Sequence, residues 1–167
     1  HSLAGICAAA GARLVHVSTD CVFSGDKGNY TEEDSSDVMD LYGKSKSLGE
    51  VDYSPHLTVR TSIIGREWVR STALLEWFLS QRGKTVKGYK NAVYTGFTTE
   101  VIARLIRKTV VERPDMTGLW HVSSDPVTKL ELLLKLKEAW DLDIEIAPFD
   151  DPPCNRSLDS SRFFGET

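Results

Sequence analysis

The chain has 167 residues, 41% of them hydrophobic, which suffices for one packed core of ordinary domain size. Its 24 acidic and 20 basic residues leave a net charge of -4, a balance that favours solubility and shows no basic stripe of the kind nucleic-acid binders carry. Cys7, Cys21 and Cys154 are scattered and form no CxxC pair, no histidine pair has zinc-ligand spacing, and no apolar run approaches the roughly 18 residues of a membrane span. The expectation is a reduced, cytoplasmic protein with no metal, no membrane and no nucleic-acid partner. The chain opens His-Ser-Leu-Ala-Gly, with neither a secretory signal nor an initiator methionine, and this predicts a piece of a longer polypeptide.

Taken in chain order, Leu3 to Ala10 is alanine-rich and predicts a helix closing at Gly11. Arg13 to Val17 is β-branched and mostly apolar, the pattern of a buried strand. Ser24 to Asp40 is polar and acidic and predicts a loop over a site. A helix is expected from Tyr42 to about Val51, then a second buried strand from Leu57 to Ile64, ending at Gly65. Ser71 is placed to cap a helix whose apolar face is Leu74, Leu75, Phe78 and Leu79, and short strands surround Val86 and Val93. Thr98 can cap the next helix, with Val101, Ile102, Leu105, Ile106 and Val110 facing inward. Gly118 to Val122 reads as a strand, Thr128 and Glu131 as a capping box before a leucine-rich helix, and Asp143 to Ala147 as a last strand. Beyond Pro148 the composition predicts irregular structure.

Strands alternating with helices predict an α/β fold with a parallel sheet. A dinucleotide site needs a glycine-rich turn between its first strand and first helix, and no G-x-G-x-x-G or G-x-x-G-x-x-G occurs here. Two stretches nevertheless carry chemistry. Ser18-Thr19-Asp20-Cys21-Val22-Phe23-Ser24-Gly25 follows a buried strand directly, at the carboxyl edge where parallel sheets bind ligands. By itself this is also the composition of an ordinary turn satisfying its own backbone. Tyr42 and Lys46 have the spacing Y-x-x-x-K, which on a helix puts phenol and ammonium on one face. An ammonium beside a phenol favours the phenolate and so suits it to proton transfer. Alone the pair is equally a chance arrangement on a solvated face.

Together, S-T-D-C-V-F-S-G, L-Y-G-K-S-K-S-L-G-E and V-R-T-S-I-I-G resemble the extended short-chain dehydrogenase/reductase family, and within it the dTDP-4-dehydrorhamnose reductases. Gly118-Leu119-Trp120-His121-Val122-Ser123 and Arg156-Ser157-Leu158-Asp159-Ser160-Ser161 extend the resemblance over nearly the whole chain. It implies the second half of a Rossmann-like sheet plus a small carboxyl-terminal substrate-binding subdomain. Residues 1–85 would be the dinucleotide-binding half, with substrate-binding elements at 86–98 and 118–167. The implied activity is reduction of a 4-keto nucleotide sugar by NADPH or NADH. Thr19 would hydrogen-bond the substrate carbonyl, Tyr42 would protonate it, and Lys46 would hold the nicotinamide ribose. Ser18, Thr61, Ser62 and Ile63 would line the cofactor, and Asp20, Cys21, Val22 and Arg156 the substrate. An open sheet edge would favour association, a homodimer being one form of it.

The chain departs from the resembled pattern at Cys21 and Ile63, where those reductases carry Tyr and Trp, so the sugar pocket is altered. Cys21 also stands where the related dehydratases carry Glu, which disfavours a dehydratase. An epimerase, needing only the hydroxyl, Tyr and Lys, and a non-catalytic regulatory subunit on the same fold stay open. Cys21 as a nucleophile lacks a neighbouring histidine and reads better as pocket wall.

Overall fold

Alanine-rich Ser2–Ala9 forms α1, and the chain then turns at Gly11, whose φ of 67° is a left-handed conformation that glycine adopts without strain. The computed structural model describes every residue except Trp68, Arg70, Ser71, Asp151 and Thr167. Strand β1 is Val15–Thr19, two residues later than the sequence pattern suggests. Arg13 is diverted because its guanidinium donates to the carbonyls of Pro114 at 2.9 Å and Met116 at 2.8 Å. A single 3₁₀ turn, Asp20–Val22, follows β1, and α2 spans Leu41–Leu48. Asp40 caps α2 by accepting the Gly43 amide at 2.8 Å, which satisfies one of the helix's free N–H groups.

Strand β2 is Leu57–Thr61, and the chain breaks at Ser62 before a separate short strand, β3, at Ile63–Ile64. Helix α3 is Leu74–Leu79, and Ser71, expected to cap it, lies outside the described residues. Three strands follow: β4 at Thr85–Tyr89, β5 at Ala92–Tyr94 and β6 at Phe97–Thr98. Thr98 accepts the Val101 amide to cap α4, Thr99–Glu112. Its buried positions are Ile102 and Thr109, one i, i+7 stripe, while Val110, expected inside, is 40% exposed. Strands β7 (Gly118–His121) and β8 (Val127–Thr128) lead to α5, Lys129–Ala139, which opens with the complete Thr128–Glu131 capping box. The chain ends with β9 (Glu145–Phe149), β10 (Cys154–Asn155) and α6 (Ser161–Glu166). The stretch beyond Pro148 is therefore not irregular: Asp159 accepts the Ser161 amide at 2.8 Å to start α6, which buries Phe163.

The main sheet has the order β1-β2-β7, all parallel, with Val15 to Thr19 in register with Leu57 to Thr61. Every residue of β2 is buried, because a central parallel strand is covered on both faces, and this is why its sequence barely alternates. Around it pack Leu57, Val59, Ile102, Met116, Trp120, Val122 and Phe163. A second cluster, Phe78, Val86, Leu133, Leu142 and Ile144, lies beneath the parallel β4–β9 pair. Residues 118–121 pair with β2 in the main sheet. The remaining strands pair as β3–β6 and β10-β5-β8. The architecture is α/β with parallel strand pairing, as the alternation of elements predicts, save for the antiparallel β5–β8 pair.

Candidate active site

The carboxyl ends of β1 and β2 lie side by side, with Thr19 paired to Thr61, and α2 crosses beyond them. Gly43 makes this crossing close. A Cβ there would overlap the Cys21 carbonyl oxygen and sit 2.7 Å from both Val38 methyl groups. The helix therefore presses directly on the turn after β1, and it brings Tyr42 and Lys46 over Thr19. The result is a cleft of about 380 Å³ lined by Ser18, Thr19, Asp20, Cys21, Tyr42, Lys46, Thr61, Ser62 and Ile63, together with Val17. Of the residues singled out in the sequence, Val22 and Arg156 stand apart from this lining. Val22 was expected on the floor of the site but is wholly buried with Phe23, Tyr30 and Leu158. Its side chain points into the core, because the 3₁₀ turn puts consecutive residues on different faces. Arg156 reaches the rim from beyond β10, donating from Nη1 to Cys21 Sγ at 3.5 Å and from Nε to the Ser24 carbonyl at 3.3 Å.

Each lining group has its own restraint. Lys46 Nζ donates to the Val17 carbonyl at 2.7 Å, which fixes the ammonium over the end of β1. Thr19 Oγ1 accepts the Cys21 amide at 3.1 Å and is hydrogen-bonded to Asp20 Oδ1 at 3.1 Å. Ser18 is turned toward Glu50, donating to its Oε1 at 2.6 Å, so its hydroxyl is already engaged. Burial raises the Asp20 carboxyl above its ordinary value, against hydrogen bonds from Thr19, Ser62 and Cys21 and the charge of Arg156. Burial also raises the Cys21 thiol, and the neighbouring Asp20 charge adds to it. A thiol held protonated is a poor nucleophile.

Three contributors were given no role by the sequence. Glu50 accepts from Arg60 Nε at 2.8 Å and Nη2 at 2.7 Å, a buried bidentate pair tying the end of α2 to β2. Arg60 Nη1 lies 3.3 Å from His121 Nε2. A guanidinium only donates, so Nε2 is the acceptor and Nδ1–H donates to the Tyr30 carbonyl at 3.0 Å. Burial keeps that imidazole below its ordinary value, opposed by Glu32 and reinforced by Arg60. The third is Tyr94, whose phenolic oxygen is buried without a hydrogen-bond partner among the described residues. Burial pushes it up to about 12, with Ser62 pulling down and Asp20 pushing further up. Gly96 makes room for it, since a Cβ there would overlap the phenol. None of these roles shows in the sequence because each depends on partners from separate strands.

A family model described as the RmlD substrate binding domain matches residues 1–151. The chain belongs to that family. Among curated relatives, a dTDP-4-dehydrorhamnose reductase of Aggregatibacter actinomycetemcomitans is 28% identical over 156 residues, covering 88% of this chain and 49% of its own. Methionine adenosyltransferase 2 subunit beta of Bos taurus is 28% identical over 181 residues, covering 96% of this chain and 54% of its own. Among solved structures, a hypothetical dTDP-4-dehydrorhamnose reductase from Sulfolobus tokodaii superposes with a TM-score of 0.82 at 32% identity, over 99% of this chain and 62% of that one. The chain spans about half the length of the curated relatives it matches. Among the described residues, no helix is long and apolar enough to cross a membrane.

Proposed function

We propose that the RmlD-family chain carries the catalytic side of a reductase that acts on a 4-keto nucleotide sugar with NADPH or NADH. The observation that supports this most is the convergence of Thr19, Tyr42 and Lys46 on one cleft at the carboxyl edge of parallel strands. The residues fit the nicotinamide end of such a cofactor. Thr61, Ser62 and Ile63 offer a hydroxyl-bearing strand edge, and Lys46 offers a restrained cation suited to ribose hydroxyls. They do not offer a diphosphate cradle, since the sequence has no glycine-rich strand-to-helix turn.

A nicotinamide held by Lys46, Thr61, Ser62 and Ile63 would supply hydride chemistry to a sugar carbonyl carbon. Tyr42 gives its phenolic proton to the carbonyl oxygen, acting as general acid. Thr19 donates a hydrogen bond to the same oxygen as charge develops on it. Lys46, anchored by the Val17 carbonyl, lines the same cleft as the Tyr42 phenol and would hold the ribose hydroxyls. Arg156 and Cys21 form the rim met by the substrate, with Arg156 suited to an anionic group such as a diphosphate.

The test is Tyr42→Phe in the full-length polypeptide, assayed by nicotinamide absorbance over a panel of keto nucleotide sugars. The expected loss in kcat is about 10²–10⁴-fold, the usual worth of a positioned general acid, with KM little changed. Lys46→Ala should lose a comparable factor and weaken cofactor binding as well. Undiminished reduction by Tyr42→Phe would overturn the assignment. A wild-type protein that binds nucleotide sugar yet reduces none of the panel would favour a non-catalytic subunit.

A further inference from the structure

A threonine hydroxyl has one proton and two lone pairs. One lone pair of Thr19 Oγ1 accepts the Cys21 amide, and the same oxygen lies 3.1 Å from Asp20 Oδ1 in a buried contact. The charge of Asp20 decides where the threonine proton goes. If Asp20 is ionised, the only proton that can bridge the pair is threonine's own, and Thr19 has none for a substrate carbonyl. If Asp20 is protonated, the carboxylic acid donates to the second lone pair of Thr19, and the threonine proton is free to turn into the cleft. Resting on the reductase reading above, we infer that Asp20 works as a neutral carboxylic acid that orients Thr19 as a donor toward the substrate oxygen. It is a positioning residue: it touches the reacting carbonyl only through Thr19.

The surroundings of Asp20 suit the neutral form. Its residue is 7% exposed, and among the described residues no cation forms an ion pair with it. Arg156, whose charge acts on it, hydrogen-bonds Cys21 Sγ and the Ser24 carbonyl and not the Asp20 carboxyl. Lys46, the other cation of the cleft, is held by the Val17 carbonyl. From the link after β2 the Ser62 side chain hydrogen-bonds Asp20, as Cys21 does from the same turn; both favour the carboxylate, and burial outweighs them, while Ser62 also acts on the buried Tyr94 phenol of β5. Cys21, on the same turn, stays a thiol. A buried carboxylate without a cation is costly, and protonation is the ordinary escape. The direction in which burial moves Asp20 agrees.

The sign of the pH dependence follows. Activity falls as pH rises through the pKa of Asp20 in the folded protein, since deprotonation recaptures the threonine proton. Asp20→Asn separates this from a structural role, because an amide N–H can donate to Thr19 Oγ1 at every pH. In the full-length protein, Asp20→Asn should keep kcat within about tenfold of wild type and lose the alkaline fall. Asp20→Ala and Thr19→Ala should each lose about 10²–10³-fold, and the double variant no more than either alone. Infrared difference spectra of wild type against Asp20→Asn should show the carbonyl stretch of a protonated carboxylic acid at neutral pH. Carboxylate bands in its place, or an alkaline limb unchanged in Asp20→Asn, would overturn the inference. The infrared band needs no turnover, so a protein that reduces no keto sugar would refute the reductase reading while the protonation of Asp20 is still read directly.

Discussion

Removing the Glu50 side chain is the sharpest test of how α2 is held against the sheet. Glu50 and Arg60 meet through two hydrogen bonds of 2.8 and 2.7 Å, with side chains only 9% and 6% exposed. Ser18 adds a third donor to the same carboxylate at 2.6 Å. In Glu50→Ala the guanidinium stays buried with two contacts left, His121 at 3.3 Å and the Phe23 ring 5.0 Å from its centre. Breaking one side of a buried pair in this way costs about 3–5 kcal/mol, a large part of a domain stability of about 5–15 kcal/mol. With a urea slope near 2 kcal/mol/M, the unfolding midpoint should fall by about 1.5–2.5 M. Replacing both partners, Glu50→Leu with Arg60→Met, should recover most of the loss, because the isolated charge is gone. Equilibrium urea unfolding of the full-length polypeptide, followed by circular dichroism, reads both. A midpoint shift below about 0.5 M for Glu50→Ala, roughly 1 kcal/mol at that slope, would show that the pair is solvated and does not anchor α2.

Two further outcomes bear on the same elements. Gly43→Ala puts a methyl into the Cys21 carbonyl and the Val38 side chain, so α2 must lift from the turn. Overpacking of this kind costs about 1–3 kcal/mol, and kcat should fall more than KM rises because Tyr42 is displaced; kinetics matching wild type would refute the close crossing. Asp20→Asn should change the pH dependence of stability. Since the native state raises the carboxyl above its ordinary 3.8, wild type loses stability as pH climbs from there through the folded value. The variant lacks this loss, so its melting temperature should match wild type in acid and exceed it at neutral pH. A gap of the opposite sign would show that Asp20 is stabilised as a carboxylate.

Much of this was legible where the signal is local. Thr98 and Thr128 cap their helices because a side-chain oxygen three residues before an amide needs only short-range geometry. The buried run at Leu57 was readable for the same reason, yet its end was not. The break at Ser62 arises because Ile63–Ile64 leaves β2 to pair with Phe97–Thr98, a partner over thirty residues away in sequence. Helix α6 was hidden by its polar composition, although Asp159 two residues ahead of its first amide was a usable start signal. Tyr42, Lys46 and Thr19 were readable as types in order. Glu50, Arg60 and Tyr94 were not, since a charge or a phenol reveals its role only when the fold brings its partner.

The restraints on the cleft differ in strength along α2, and that difference bears on mechanism. At its start the helix is fixed by the Asp40 cap and by Gly43 against the turn, and at its end by Glu50 on Arg60. Lys46 lies between these anchors and is itself hydrogen-bonded to β1. Thr19 is fixed twice over. Tyr42 shares the same rigid backbone, but the residue is 58% exposed and lines the open cleft. On the reductase reading, the electrostatic partners are therefore set in advance, while the proton donor becomes dry only when ligands cover it. A positioned acid works best once water is excluded, because every nearby dipole and charge then acts on it at lower dielectric. Substrate binding and acid catalysis are thereby linked through one side chain, and truncated substrates that leave Tyr42 wet should lose kcat more than affinity.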